Sequence, residues 1–454
     1  MSRTRIVKGK ITEIIGGDLR YYSEADIVES AYEGYAEKSS TRILHAGNPS
    51  KPSAGEINAK CIVQFRPYDR YKDNPNFGFD WLRVGDSGQK GDNWFGGIMG
   101  KYFEADNVTV FKNGNSWNNN FHKDFNMYDK KLKSYKSFSL VWKKINKKPY
   151  LYPIPTLTLL KGRSALFNLK IEIQEKPKKL TFEFKDKKAE NYLSLNMKEI
   201  GDVKKGNYDK FNYFKITCKQ SFNKEQILYV KADGEICGAM KIHPNSDTYL
   251  KKISAIFISV KTDINGAINI GKPKQGSQQY FTECLNQALV IPTIHNNFSI
   301  DCTGNMFYNT FKNKFCKKIG TKYYISESNG LKKYLEEKFR DKYGNKYDSY
   351  FKVFFIEDIY PSWKNGAISG YTNGFSFFNT TFTVQFKTHS KETVAHELMH
   401  ALGLPHTFDG NYPAKYTYQA KKTNNLMDYC HHDQIPRISV FQWQWKILNS
   451  KIIN

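Results

Sequence analysis

Between residues 156 and 244, apolar and polar residues alternate in short runs: Leu166 to Ile173, Leu180 to Phe184, Tyr192 to Met197, Tyr213 to Cys218, Ile227 to Val230 and Ile236 to Ile242. A period of two turns one face of each run to a core and the other to water, which predicts strands. Asp233-Gly234 accepts the left-handed backbone of a tight turn and is expected to join the last two as a hairpin. About seven such strands in about 90 residues predict an immunoglobulin-like β-sandwich over 156–244. The preceding region, 1–148, is rich in Gly, Asn and aromatic residues, with Phe77 to Leu82 and Asn93 to Gly97 as apolar nodes. Short runs such as Cys61 to Phe65 and Val108 to Phe111 predict a β-rich N-terminal domain. Pro149, Pro153 and Pro155 remove donors and hold the chain extended, so a linker is expected between the two regions.

From 250 to 454 the period changes back and forth. Strands are predicted at Ile253 to Val260, Phe298 to Asp301, Tyr350 to Ile356 (central), Phe375 to Phe378 and Thr381 to Phe386. Helices are predicted at Gln278 to Val290, Leu331 to Lys342, about 390–402 and Ile438 to Leu448. The fold class is therefore multidomain: a β-rich N-terminal domain, a sandwich, and an α+β C-terminal domain. A length of 454 residues agrees with about three domains.

Composition narrows the partners. No stretch approaches 18 continuous apolar residues, so no transmembrane helix is expected. The basic start, Met1 to Lys8, has no apolar run after it, so no cleaved secretory signal is expected. The seven cysteines (61, 218, 237, 284, 302, 316 and 430) are odd in number and never form a C-x-x-C pair. That argues against a disulfide framework and for synthesis in a reducing compartment. The net charge of +25 favours acidic partners or membrane surfaces at long range. Its densest run, Lys130 to Lys148, is interrupted by Tyr135, Phe138 and Trp142, a mixture able to grip phosphates and stack bases. An alternating strand with a solvated lysine face accounts for the run better, so nucleic acid is not the expected partner. Gly85-Asp86-Ser87-Gly88 has only His45 upstream and too little chain around it for a serine-protease triad. Nor does Gly85 to Gly91 carry the Gly-Lys-Ser/Thr ending of a phosphate loop.

Residues 396–406 read H-E-L-M-H-A-L-G-L-P-H. On a helix, His396 and His400 project from one face a turn apart and can share one Zn²⁺, with Glu397 beside the water on that metal. Gly403 can stop the helix, so the chain can turn and deliver His406 as a third ligand. Three protein ligands and an open position describe catalytic rather than structural zinc. Glu397 is then the general base, and Tyr429 is placed to donate a hydrogen bond to a developing oxyanion. Cys430 reads as a small buried residue rather than a zinc latch. His431 and His432 read as loop residues, and His389 as part of the start of the metal-binding helix.

At the segment His396 to Phe408 and at Asn425-Leu426-Met427-Asp428-Tyr429 the chain resembles the metzincin zinc metallopeptidases, most closely the pappalysin or cytophagalysin group. The resemblance implies that His396, His400 and His406 bind Zn²⁺, that Glu397 is the base, and that Met427 floors the site. It also implies that Tyr429 approaches the metal or the oxyanion. Unlike that group's pattern, the stretch between His406 and Met427 is short and lacks Cys, so calcium binding and cleavage preference are not carried over. The N-terminal part bears a faint resemblance to secreted Bacteroidetes effectors. The expected function is a zinc endopeptidase acting on protein or peptide substrates. It would be made in the bacterial cytoplasm and exported by a specialised secretion apparatus, with an immunity protein as a further partner. The rivals are a non-catalytic binding protein on a protease scaffold and a basic nucleic-acid-binding protein. A strand near Asn373 to Phe378 is the expected exposed edge for an extended peptide substrate.

Overall fold

The computed structural model of the protein describes residues 60–102, 121–304, 310–364, 367–410 and 414–452, without the side chain at 364. The chain divides into Met1–Asn58 and Ala59–Asn454, and only the second unit contains described residues. His45 and the strand expected at Val108 to Phe111 lie outside them. The described residues are β-rich and form several separate sheets, none of them closed into a barrel.

Two sheets share one apolar core. The first is antiparallel, in the order Cys61–Pro67, Ser164–Ile173, Gly206–Cys218, Leu193–Leu195. The second runs Gly78–Asp80, Thr156–Thr158, Glu235–Ile242, Gln226–Ala232, Leu180–Phe184, with one parallel pairing, between Thr156–Thr158 and Glu235–Ile242. Alternate residues face inward, and Phe65 lies edge-on to Phe167 and Phe214 at 5.9 and 5.5 Å while Phe182 stacks on Phe214 at 4.3 Å. Asp233 and Gly234 both have positive φ (49° and 96°), the conformation that lets so tight a hairpin follow the strand twist.

Three sequence readings change here. Strands Cys61–Pro67 and Gly78–Asp80 precede the division expected at 148 but belong to these two sheets, where Phe65, Phe77 and Phe79 pack into the shared core. The expected proline linker is the second strand of a hairpin, Ser137–Ile145 with Lys148–Pro153. Asn146 and Lys147 close it at φ 50° and 64°, and a two-stranded ribbon tolerates Pro149 and Pro153 because each strand has an unpaired side. The basic run from Lys130 is not one alternating strand. Its start is the last turn of a helix, Phe125–Lys133, capped by the Asp124 carboxylate, which accepts from the Asn126 and Met127 amides.

That helix buries a charge. Lys131 Nζ lies 3.1 Å from Asp80 Oδ2, the Tyr135 hydroxyl donates to the same oxygen at 2.9 Å, and Arg83 Nη1 donates to Asp80 Oδ1 at 3.2 Å. The Arg83 guanidinium is 3.4 Å from the Trp81 ring centroid and 4.9 Å from that of Phe441. Tyr135 is thus committed internally, and Phe138 stacks on Tyr152 at 4.8 Å.

The main run of the six-stranded third sheet is Val290–Asp301, Lys251–Thr262, Phe351–Ile356, Phe382–Gln385, Gly374–Ser376, and the short Asn269–Ile270 pairs antiparallel with the end of Lys251–Thr262. The first four are parallel and Gly374–Ser376 is antiparallel at the edge. Helices Ser277–Asn286 and Lys391–Ala401 cover one face, over Phe257, Val353 and Phe355. Helix Leu331–Tyr343 covers the other, over Ile258, Phe354 and Val384. Burial on both faces explains why the central strands are almost continuously apolar. The helix expected to reach Val290 ends at Asn286, and the strand expected only from Phe298 begins at Val290. Its one-sided pairing is the reason: Pro292 and the polar His295-Asn296-Asn297 suit an edge strand and hide it from a periodicity reading. Among the described residues no helix is long and apolar enough to cross a membrane.

Candidate metal centre

Helix Lys391–Ala401 starts where Ser390 and Thr393 cap each other, each side chain taking the other's backbone amide at 3.3 Å. It ends in a Schellman motif. Leu404 donates to Met399 O at 2.9 Å and Gly403 to His400 O at 2.8 Å, with Gly403 at φ +92°. A Cβ at Gly403 would also meet Asn379 Oδ1 at 2.6 Å. The reversal at Gly403 returns the chain so that His406 faces the helix.

The structure brings His396, His400 and His406 together. His400 Nε2 lies 3.1 Å from His396 Nε2 and 3.0 Å from His406 Nε2. Three nitrogens tetrahedrally disposed at zinc-like bond lengths sit about 3.3 Å apart, so the donor set fits one ion. His396 Nδ1 lies 2.8 Å from Leu426 O and His400 Nδ1 2.6 Å from Leu404 O. Donation to those carbonyls places the proton on Nδ1 and leaves Nε2 as the donor atom. Burial, followed for His396 and His406 by mutual proximity and Arg437, pushes the imidazole pKa values down, that of His400 to about 4. Neutral imidazoles are the form a metal takes. Among the described residues these three make the one group of His, Cys, Asp or Glu with metal-ligand spacing, His396 buried and the other two partly open. Imidazole donors alone suit several transition metals.

Glu397 is buried next to His396 on the same helix, and burial pushes its carboxyl up to about 7 against the opposing effects of Ser376 and Arg437. The Ser376 hydroxyl donates to Glu397 Oε2 at 3.0 Å. Ser376 ends the antiparallel edge strand, which therefore borders the site.

Met427 is fully buried and packs with Val394, Leu398 and Leu426. Thr407 donates its amide to Met427 O at 3.1 Å, tying the residue after His406 to this turn. Asp428 holds the turn, accepting from the Lys421, Thr423 and Tyr429 amides and the Thr423 hydroxyl at 2.7–2.9 Å. The Tyr429 ring lies 4.7 Å from that of His406 and 5.1 Å from that of Phe408, and burial raises its hydroxyl pKa. Cys430 is buried with Sγ 3.8 Å from Asn425 O and does not join the histidines. His389 Nδ1 lies 2.6 Å from Phe386 O at the foot of the helix. The His431 and His432 rings lie 4.2 Å apart, tilted by 34°, with centroids each 6.2 Å from Tyr429.

The sequence reading missed Ser376 and the two carbonyls that orient the histidines. Ser376 was findable in principle: pairing opposite Thr383 fixes which way its side chain points, and alternation along Phe375 to Phe378 carries that parity.

No protein-family model and no curated protein matches the chain. Among solved structures it is similar to a chain from one described as "Structure of a chaperone-substrate complex", at TM-score 0.21 and 12% identity, over 54% of this chain and 38% of that one.

Proposed function

We propose that the protein is a zinc endopeptidase of metzincin type. The observation that carries this reading is the convergence of the His396, His400 and His406 Nε2 atoms beside a buried Glu397. The turn at Met427 and Tyr429 supports it from the other side. Residues 250–454 are then the α+β protease domain. The two sheets around 156–244 are an immunoglobulin-like sandwich that also takes in strands from 61–80. The +25 charge and the additional N-terminal chain favour the further reading of an exported bacterial effector.

When bound, Zn²⁺ would supply Lewis acidity, acidifying a water and polarising a substrate carbonyl. The chain's own residues supply the rest. Glu397 accepts the proton of the attacking water and returns it to the leaving amine. Ser376 holds the Glu397 carboxylate in one orientation. The Tyr429 hydroxyl, which burial keeps protonated, donates to the developing oxyanion. An extended peptide adds as a strand along Gly374–Ser376, so that its backbone is held and its alternate side chains are read.

The test is cleavage of a denatured bacterial proteome by wild type and Glu397→Ala at equal zinc content. Cutting by wild type alone supports the reading, whereas equal cutting by both proteins contradicts it.

A further inference from the structure

At the amino end of helix Lys391–Ala401, beside Asn373, lies a cavity of about 330 Å³ whose polar lining includes Lys72, Tyr280, Ser390, Glu392 and Arg437. Its size is at the low end of small-ligand pockets, roughly 300–1,000 Å³. Arg437 is 7% exposed, and its charge reaches His396, His406, Glu397 and Tyr429. A guanidinium this buried normally has a carboxylate partner. Among the described residues none lies within ion-pair distance of Arg437, and its Nε is buried with no hydrogen-bond partner. Its single side-chain contact of that kind is Nη2 to Ser390 Oγ at 3.5 Å, the outer limit of a hydrogen bond. The other charges in the cavity do not satisfy it. Glu392 leans on Lys391 at 4.0 Å, and Lys72 and His431 bring no negative charge.

The backbone around Arg437 is fixed. The Tyr280 hydroxyl donates to Arg437 O, and Gln287 Nε2 donates to Ile438 O at 2.7 Å. Ile438 in turn donates its amide to Asn424 O at 2.9 Å. A preorganised planar fork with unused donors is suited to two-pronged recognition of a carboxylate. Ser390 begins helix Lys391–Ala401, whose amino end adds a favourable dipole for an anion at the same spot.

We infer that the Arg437 cavity is a substrate subsite that binds a carboxylate of the peptide being cut, making the enzyme selective for acidic sequence near the scissile bond. This rests on the peptidase reading and names its substrate class. The carboxylate can be an Asp or Glu side chain or a chain terminus, and the test separates the two.

The zinc-loaded protein is given a degenerate octapeptide library, once with free and once with amidated C-termini, and the cut sites are mapped by mass spectrometry. Acidic residues are expected at one position near the cut with at least fivefold enrichment in both libraries; enrichment confined to the free-acid library assigns the terminal carboxylate instead. Arg437→Gln should abolish the enrichment and raise KM for acidic peptides with kcat little changed, and Arg437→Lys should retain part of it, which also serves if the Gln variant fails to fold. No acidic or terminal preference in wild type, or a preference unchanged in Arg437→Gln, overturns the inference while leaving the peptidase reading intact. If nothing is cut in a Glu397-dependent way, the peptidase reading fails, and binding alone decides the cavity. Glu397→Gln protein should hold a fluorescein-labelled octapeptide pool with central Glu at least fivefold more tightly than the matching Gln pool, and equal affinity for the two overturns the inference.

Discussion

Replacing Asp80 by Ala removes the acceptor that Arg83, Lys131 and Tyr135 share. Arg83 and Asp80 have no exposed side-chain surface and Lys131 has 2%. The variant therefore leaves two cations in an apolar setting, since the side chain that neutralised them is gone. Breaking a buried ion pair from one side costs about 3–5 kcal/mol, while replacing all members by apolar residues of similar size is often neutral. We expect Asp80→Ala to lose about 3–5 kcal/mol in the first transition of urea unfolding followed by tryptophan fluorescence. Asp80→Leu/Arg83→Met/Lys131→Met should recover most of that loss. The damage should reach the metal centre. Arg83 lies over Phe441, the Phe441 amide donates to Gln444 Oε1, and Gln444 exchanges hydrogen bonds with Asn425 beside Met427. Asp80→Ala should therefore also weaken metal binding in a chelator competition. A loss below about 1 kcal/mol, or a triple variant no better than the single one, would refute the view that stranded buried charge is the cause.

Gly403→Ala forces a side chain into a left-handed backbone and against Asn379; it should cost about 1–3 kcal/mol in thermal unfolding and displace His406, so that zinc affinity falls with it. Ser376→Ala should lower kcat/KM by about tenfold, the value of one hydrogen bond to a charged group, at unchanged zinc content; an unchanged rate removes Ser376 from the site. Burial lowers the pKa of His243 from its ordinary value of 6.5. The folded state thus favours the neutral ring, and stability is lost as pH falls through the unfolded value near 6.5, by at most about 1.4 kcal/mol per pH unit for one proton. The wild-type minus His243→Gln difference in urea midpoint between pH 7.5 and 5.5 should show that decline, and a flat difference would contradict it.

The parts of this molecule that were legible in the sequence are those set by local rules. Leu180–Phe184 alternates strictly and forms a strand with those same limits, and Asp233-Gly234 makes its turn. The spacing of His396 and His400 is itself helix geometry, and Gly403 marks the stop that turns His406 inward. What stayed hidden depends on distant chain. Only the end of Val290–Asp301, from Phe298, reads as a strand, because an edge position needs no apolar alternation over the rest. Lys131 looks like any surface lysine until Asp80 is folded against it. Arg437 has no local signal, since its burial is set by distant chain. The sheets around 156–244 draw strands from 61–80 because cores are filled by shape rather than by sequence order.

The central claim is tested most directly by returning zinc to chelator-stripped protein and following cleavage of an unfolded protein substrate. The rate should rise linearly to a plateau at about one equivalent, the stoichiometry of a three-histidine site, and stay at background throughout for Glu397→Ala. Cleavage by the stripped protein, a rate indifferent to added zinc, or full activity in Glu397→Ala would contradict it.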